Sequence, residues 1–200
     1  MDRPVWSLTP LEGVGPLRFG MLADEVQAAL PDARPLSRFQ ADPYSPEISG
    51  AQLGFRPAAP AVHVYFDGAG RLFCVAVDAA GGPQVTLDGM ELTGRLPASL
   101  EQGVLDSARS AGLTLSFGPR GNPGIDAMGL VLRVQEIANR LLTRPVLVGR
   151  DWADRCTDDW EGPVPECEWL GRQWPHHGVS GVWPPAGGAP NWPSGWRPPF

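Results

Sequence analysis

A chain of 200 residues that is 42% hydrophobic and 19% charged, with 25 Gly and 23 Pro, reads as one folded domain with a loop-rich or extended part. That excludes a coiled coil and a fully disordered chain, and no run approaches the roughly 18 apolar residues of a membrane-spanning helix. Sixteen basic residues, all of them Arg, face 22 acidic ones for a net charge of −6, which argues against a nucleic-acid partner, since such binders carry a basic stripe.

The start, Met1-Asp2-Arg3-Pro4, lacks the basic-then-apolar pattern of a signal peptide, so the expected location is cytoplasmic, with no membrane partner. The first predicted helix covers 21–30, where Leu22, Val26 and Leu30 recur on one face and Asp24 and Glu25 sit in the first turn. Pro31 stops it, and an irregular, Pro-interrupted stretch follows. A strand is expected near 51–56. The clearest element is a hairpin: Val62–Phe66 and Arg71–Val77 flank the loop Asp67-Gly68-Ala69-Gly70. Val62, Val64 and Phe66 share one face of its first strand, and His63 and Tyr65 share the other.

A second series then begins. Val85–Leu87 turns at Asp88-Gly89 into Met90–Leu92. A helix runs from Pro97 to about Ala111, with Leu100, Val104 and Ala108 on one face and Gly112 ending it. Strands are expected at 113–117, 129–134 and 144–149, with 135–143 read as a helical turn or a loop. Residues 151–200 differ in kind. They hold seven of the eight Trp and the Pro-rich runs that bar helix and central strand alike. The tail 178–200 reads as extended and polyproline-leaning, either disordered or packing its Trp rings on the body.

The fold class is therefore α+β. It has a body over 1–150, of two helix-plus-antiparallel-hairpin units in tandem (12–80 and 85–150), and an acidic, Trp/Pro/Gly-rich extension over 151–200. The two helix starts, Gly20-Met21-Leu22-Ala23-Asp24-Glu25-Val26 and Gly94-Arg95-Leu96-Pro97-Ala98-Ser99-Leu100, align as Gly-x-Leu-x-x-x-[Val/Leu].

The run Leu17-Arg18-Phe19-Gly20-Met21-Leu22-Ala23-Asp24-Glu25-Val26 resembles the Gly-Met-(Thr/Ser)-x-x-x-Val helix start of the SmpA/OmlA-like lipoproteins and of β-lactamase-inhibitory protein. The longer run from Gly13 to Met21 is similar to starts in actinobacterial proteins of the immunity-protein type. The motif spans about 14 residues, and the arrangement of elements extends the likeness to about 15–150. Leu22 stands where the pattern carries a hydroxyl N-cap, and there is no lipobox Cys. The resemblance implies helices followed by antiparallel strands, twice over, and a role in binding a toxin or enzyme across a sheet.

Catalytic and metal chemistry is weakly signalled. Gly13-x-Gly15-x-x-x-x-Gly20 lacks the Lys-Ser/Thr of a phosphate loop, and Pro16 removes a donor. Cys156, Cys167, His176 and His177 are ligand types suited to zinc, but ten residues lie between the two Cys rather than two to four. Free thiols, a Cys156–Cys167 disulfide, a zinc site and a catalytic Cys–His pair stay open, the last without an electropositive setting for its thiolate, and no cofactor is expected. Cys74 reads as a buried strand residue. No Gly-x-Ser-x-Gly elbow occurs. The acidic stretch Asp158-Asp159-Trp160-Glu161, with Glu166, Glu168 and Trp169, reads as a solvated loop or as a patch for a basic partner.

The expected function is non-enzymatic: an immunity or inhibitor protein that occludes a protein partner, a toxin or enzyme of basic character. Its expected contacts are His63, Tyr65, Asp158, Asp159, Trp160, Glu161 and Trp169. An SmpA/OmlA-type envelope or assembly module, and a small-ligand binder with Trp side chains lining its pocket, are the alternatives.

Overall fold

The computed structural model describes residues 3–57, 59–118, 120–159, 161–175, 181–183 and 191–200. The chain is α+β with mostly antiparallel sheets. It opens with β1 (Val5–Thr9), β2 (Gly13–Val14) and β3 (Leu17–Arg18), a small antiparallel meander. Helix α1 (Ala23–Ala29) follows, then β4 (Arg34–Gln40), β5 (Ser49–Gly54), β6 (Val62–Phe66) and β7 (Leu72–Val77), each antiparallel to the last. Next come the β8 (Gln84–Leu87) and β9 (Met90–Glu91) hairpin and helix α2 (Pro97–Ser110). A second antiparallel meander contains β10 (Ser116–Phe117), β11 (Pro123–Ile125), β12 (Leu130–Ile137) and β13 (Arg140–Val148).

The two meanders form one eight-stranded sheet in the order β10-β11-β12-β13-β7-β6-β5-β4, with the last strand of each, β13 and β7, side by side and antiparallel. A five-stranded sheet, β3-β2-β1-β8-β9, contains the parallel pair β1 and β8.

Local chemistry accounts for these elements. In the β6–β7 hairpin, Asp67 Oδ1 accepts from the backbone N–H of Ala69 and of Arg71, both at 2.9 Å, and Gly70 takes φ +73°. At α1, Leu22 offers no side-chain cap. Glu25 Oε2 instead accepts from the Leu22 N–H at 2.7 Å, which satisfies the reverse half of a capping box. Gly20, at φ +92°, lets the chain turn so that its N–H and the Met21 carbonyl both bond to Leu72 of β7. Helix α2 starts on Pro97 and buries Leu100, Val104 and Ala108, as the spacing predicts.

Several expectations change. The stretch 135–143 is neither helix nor loop: β12 and β13 pair from Leu130↔Leu147 to Ile137↔Arg140 through a two-residue turn. Ala138 and Asn139 both take positive φ there, the geometry of a hairpin turn without the usual Asn-Gly signal. The Pro-interrupted stretch after α1 contains β4, an edge strand. An edge position tolerates Pro35, and the ladder shifts register between Pro35 and Ser37. The strand expected over 113–117 is confined to Ser116–Phe117.

The inner strands of the eight-stranded sheet are buried on both faces. On one, Val26, Leu30, Leu100 and Val104 of the helices meet Val62, Val64, Phe66, Val75, Leu130 and Leu132. On the other, Tyr65, Cys74, Ala76, Val131, Val146 and Val148 meet Ala153, Cys156, Val164, Cys167, Trp169 and Trp196 of the extension. Hence β6 and β7 read as unbroken buried runs rather than alternating ones.

The extension carries the short helix α3 (Glu166–Trp169) and the strand pair β14 (Gly171–Arg172) and β15 (Val182–Trp183). Its last described residues return to the sheet. Trp196 is buried and donates its indole N–H to the Gln40 carbonyl at 3.0 Å, with Trp192 edge-on to it.

Candidate functional site

Arg133 of β12 and Arg144 of β13 are directly opposite each other, on the sheet face that the extension covers. Two like charges side by side in an interior repel, and each is costly to desolvate. Burial, then the charges of Arg120 and Arg144, push Arg133 down to about 9. The extension supplies the compensation from three consecutive residues.

Arg133 Nε donates to the Glu168 carbonyl at 3.0 Å, and a terminal nitrogen donates to the Trp169 and Leu170 carbonyls at 2.7 and 3.0 Å. Arg120 donates to the same Trp169 carbonyl at 3.0 Å, and both guanidinium groups lie over the Trp169 ring. These are carbonyls that so short a helix leaves without partners of its own. Arg144 forms an ion pair with Glu168 Oε2 at 2.7 Å.

Glu168 is the centre of the cluster, with none of its surface exposed. Its Oε1 accepts from the Tyr65 hydroxyl and lies 2.8 Å from His63 Nδ1. Burial raises its pKa, but Arg144, His63 and the hydrogen bonds outweigh that and hold the carboxyl at about 2. An ionised acceptor places the His63 proton on Nδ1. His63 Nε2 lies 3.3 Å from the Gln52 amide nitrogen, and Gln52 Oε1 accepts from Ser37 Oγ at 2.9 Å. A chain of polar contacts thus runs from the edge strand β4 through β5 and β6 into the extension.

The expected contact residues are therefore placed differently from their reading as surface. His63 and Tyr65 do share a face of β6, but it lies under the extension and both are buried. Trp169 is buried between the sheet and Val164, whose carbonyl accepts its indole N–H. Asp159 is also interior, held 3.0 Å from Arg120 Nε. Asp158 is half-buried and Glu161 exposed. Trp160 lies outside the described residues, as do His176 and His177.

Cys156 and Cys167 are buried free thiols with separate partners. Cys156 Sγ lies 3.2 Å from Asp126 Oδ1, and Cys167 donates toward the Tyr65 hydroxyl at 3.5 Å. Burial pushes both thiols up, and Cys74 with them, so none of the three is a ready thiolate. Among the described residues no three His, Cys, Asp or Glu side chains group as a metal site.

The cluster thus locks the extension to the sheet through charge compensation. The sequence reading missed Gln52, Arg120, Arg133 and Arg144, and placed Glu168 in a segment read as a solvated loop or a patch for a basic partner. The available signal was Arg133 alone in the apolar run Leu130-Val131-Leu132-Arg133-Val134. A charge within such a run needs an interior partner. No family model, no curated protein and no solved structure matches this chain.

Proposed function

We propose that this chain is a non-enzymatic protein-binding module, an immunity or inhibitor protein that neutralises a toxin or enzyme by covering it. The observation that carries this reading is the order of elements: a helix and a four-strand meander, then a helix and a second four-strand meander, merged edge to edge. Two tandem units of the kind seen in the resemblance to β-lactamase-inhibitory protein would build such a sheet. The chemistry of the buried cluster supports the non-enzymatic side. The Glu168 carboxylate is engaged by three side chains, and the thiols are shielded and uncharged.

The occluding surface is then not the sheet face, because the extension occupies it. It is the outer side of the extension, where Asp154 and Glu161 are exposed and Asp158 is partly so. Arg155 pairs with Asp154 and Glu161 on that side, and the whole chain's net charge of −6 favours a basic partner and speeds its approach.

The test is affinity capture with the intact chain from its own cell lysate, followed by reconstitution with the purified partner. One stoichiometric partner whose activity is blocked in the complex is expected. Its association should slow, and depend less on salt, when Asp158 and Glu161 are changed to Ala. A well-folded chain that captures nothing stoichiometric, or a partner that stays fully active when bound, overturns the reading.

A further inference from the structure

A cavity of about 340 Å³ opens where the extension crosses the end of the eight-stranded sheet. That is at the small end of the range for ligand pockets, about 300–1,000 Å³. Its walls come from β5 and β6 (Gln52, His63), β12 and β13 (Val134 to Glu136, Arg144), the loop after β7 (Asp78), and Leu170–Arg172 and Phe200 of the extension. The Phe200 ring lies over the His63 imidazole with centroids 4.5 Å apart, and it is half-exposed.

The wall carries both signs of charge at close quarters. Arg144 is 8% exposed. Its Nε donates to the Val77 carbonyl at 3.3 Å, and one terminal nitrogen faces Glu168. Its other terminal nitrogen donates to no described residue. Next along the chain from Val77 is Asp78. Its Oδ1 caps the backbone of Ala80 and Gly81, while Oδ2 accepts, among the described residues, only the Gln135 amide at 2.8 Å and keeps acceptor capacity. At the rim, Arg172 pairs with Glu136 at 2.6 Å. The remaining lining, Val134, Leu170, Pro60 and Phe200, is apolar.

We propose that this cavity binds a small zwitterion with an apolar side group, of the size and charge pattern of a free aliphatic or aromatic α-amino acid. The guanidinium of Arg144 takes the ligand's carboxylate, with His63 beside it. Asp78 takes the ammonium. The side group lies against Phe200 and Leu170. A simple anion would meet Asp78 and Glu136, and a simple cation would meet Arg144 and Arg172, so neither sign alone suits the wall. The site is separate from the outer acidic side of the extension, and the proposal stands or falls independently of the inhibitor reading.

The experiment is calorimetric titration of the full chain with L-leucine and L-phenylalanine. Each is compared with its deaminated acid (4-methylpentanoate, 3-phenylpropanoate) and its decarboxylated amine (isopentylamine, 2-phenylethylamine). At least one amino acid should bind with a dissociation constant below about 1 mM, and both of its truncated analogues at least tenfold more weakly. Asp78→Asn keeps the loop-capping oxygen and should weaken that amino acid at least tenfold. Phe200→Ala, at a half-exposed ring outside the charged cluster, should weaken it severalfold. Both variants should melt within a few degrees of the parent chain, which separates lost binding from lost fold. Binding of neither amino acid, an analogue equal to its parent, or an Asp78→Asn chain that binds unchanged would each overturn the proposal.

Discussion

Replacing Glu168 with Gln tests the clamp most directly. Gln preserves the shape and an oxygen for His63 and Tyr65 but withdraws the charge facing Arg144, which is 2.7 Å away and buried. Leaving one member of a buried ion pair without its partner costs about 3–5 kcal/mol. The ionisation of Glu168 leads to a similar figure: a carboxyl held at about 2 in the fold against 4.5 as its ordinary value is worth about 3 kcal/mol. Because the folded pKa is the lower one, that contribution is complete above about pH 4.5 and is lost as pH falls toward 2. Urea titration followed by tryptophan fluorescence reports on the region, since Trp169 adjoins Glu168 and is buried. At pH 7 the Glu168→Gln chain should unfold with about 3 kcal/mol less stability, a large part of the 5–15 kcal/mol typical of a domain. Its stability should also lose the acid-limb dependence the parent shows. Adding Arg144→Met, which removes the orphaned charge, should restore part of the loss. A loss under about 1 kcal/mol, with the pH profile unchanged, would refute the view that this carboxylate anchors the extension.

Asp159→Ala removes an interior carboxylate from Arg120 and should cost about 3 kcal/mol in a thermal or urea melt. Glu161→Ala, on the exposed side, should stay within about 0.5 kcal/mol, and equal effects would remove the distinction between the two acidic positions. The three thiols should resist an aromatic disulfide reagent in the native chain at pH 8 and react together once urea unfolds it; rapid native labelling would contradict their burial and raised pKa values. Gly15→Ala should destabilise by about 2 kcal/mol or more, because φ is +55° and a Cβ would lie 2.5 Å from the Trp6 ring. Gly70→Ala, at φ +73° but facing open space, should cost only about 1 kcal/mol, and melts of the two variants give the difference due to Trp6.

Much of the framework was legible because it rests on short-range chemistry. Apolar spacing and a proline start define α2, and two β-rich runs around an Asx turn define the β6–β7 hairpin. The sidedness of β6 could also be read, with His63 and Tyr65 together against Val62, Val64 and Phe66. Local signals failed where the chain used an atypical turn, at Ala138-Asn139, or an edge position that forgives a proline, at β4.

What covers the His63 face was not a local question. Glu168 is 105 residues from His63 and 24 from Arg144, and nothing in the acidic, Trp-rich segment distinguishes a carboxylate bound for solvent from one bound for the interior. Composition and the apolar spacing along the chain determined that it would fold as an α+β domain with helical and strand faces to bury. Only the tertiary structure decided that the second face of the sheet is closed by its own extension. Two buried guanidinium groups on adjacent strands require an anion and free carbonyls, and residues 168–170 bring both.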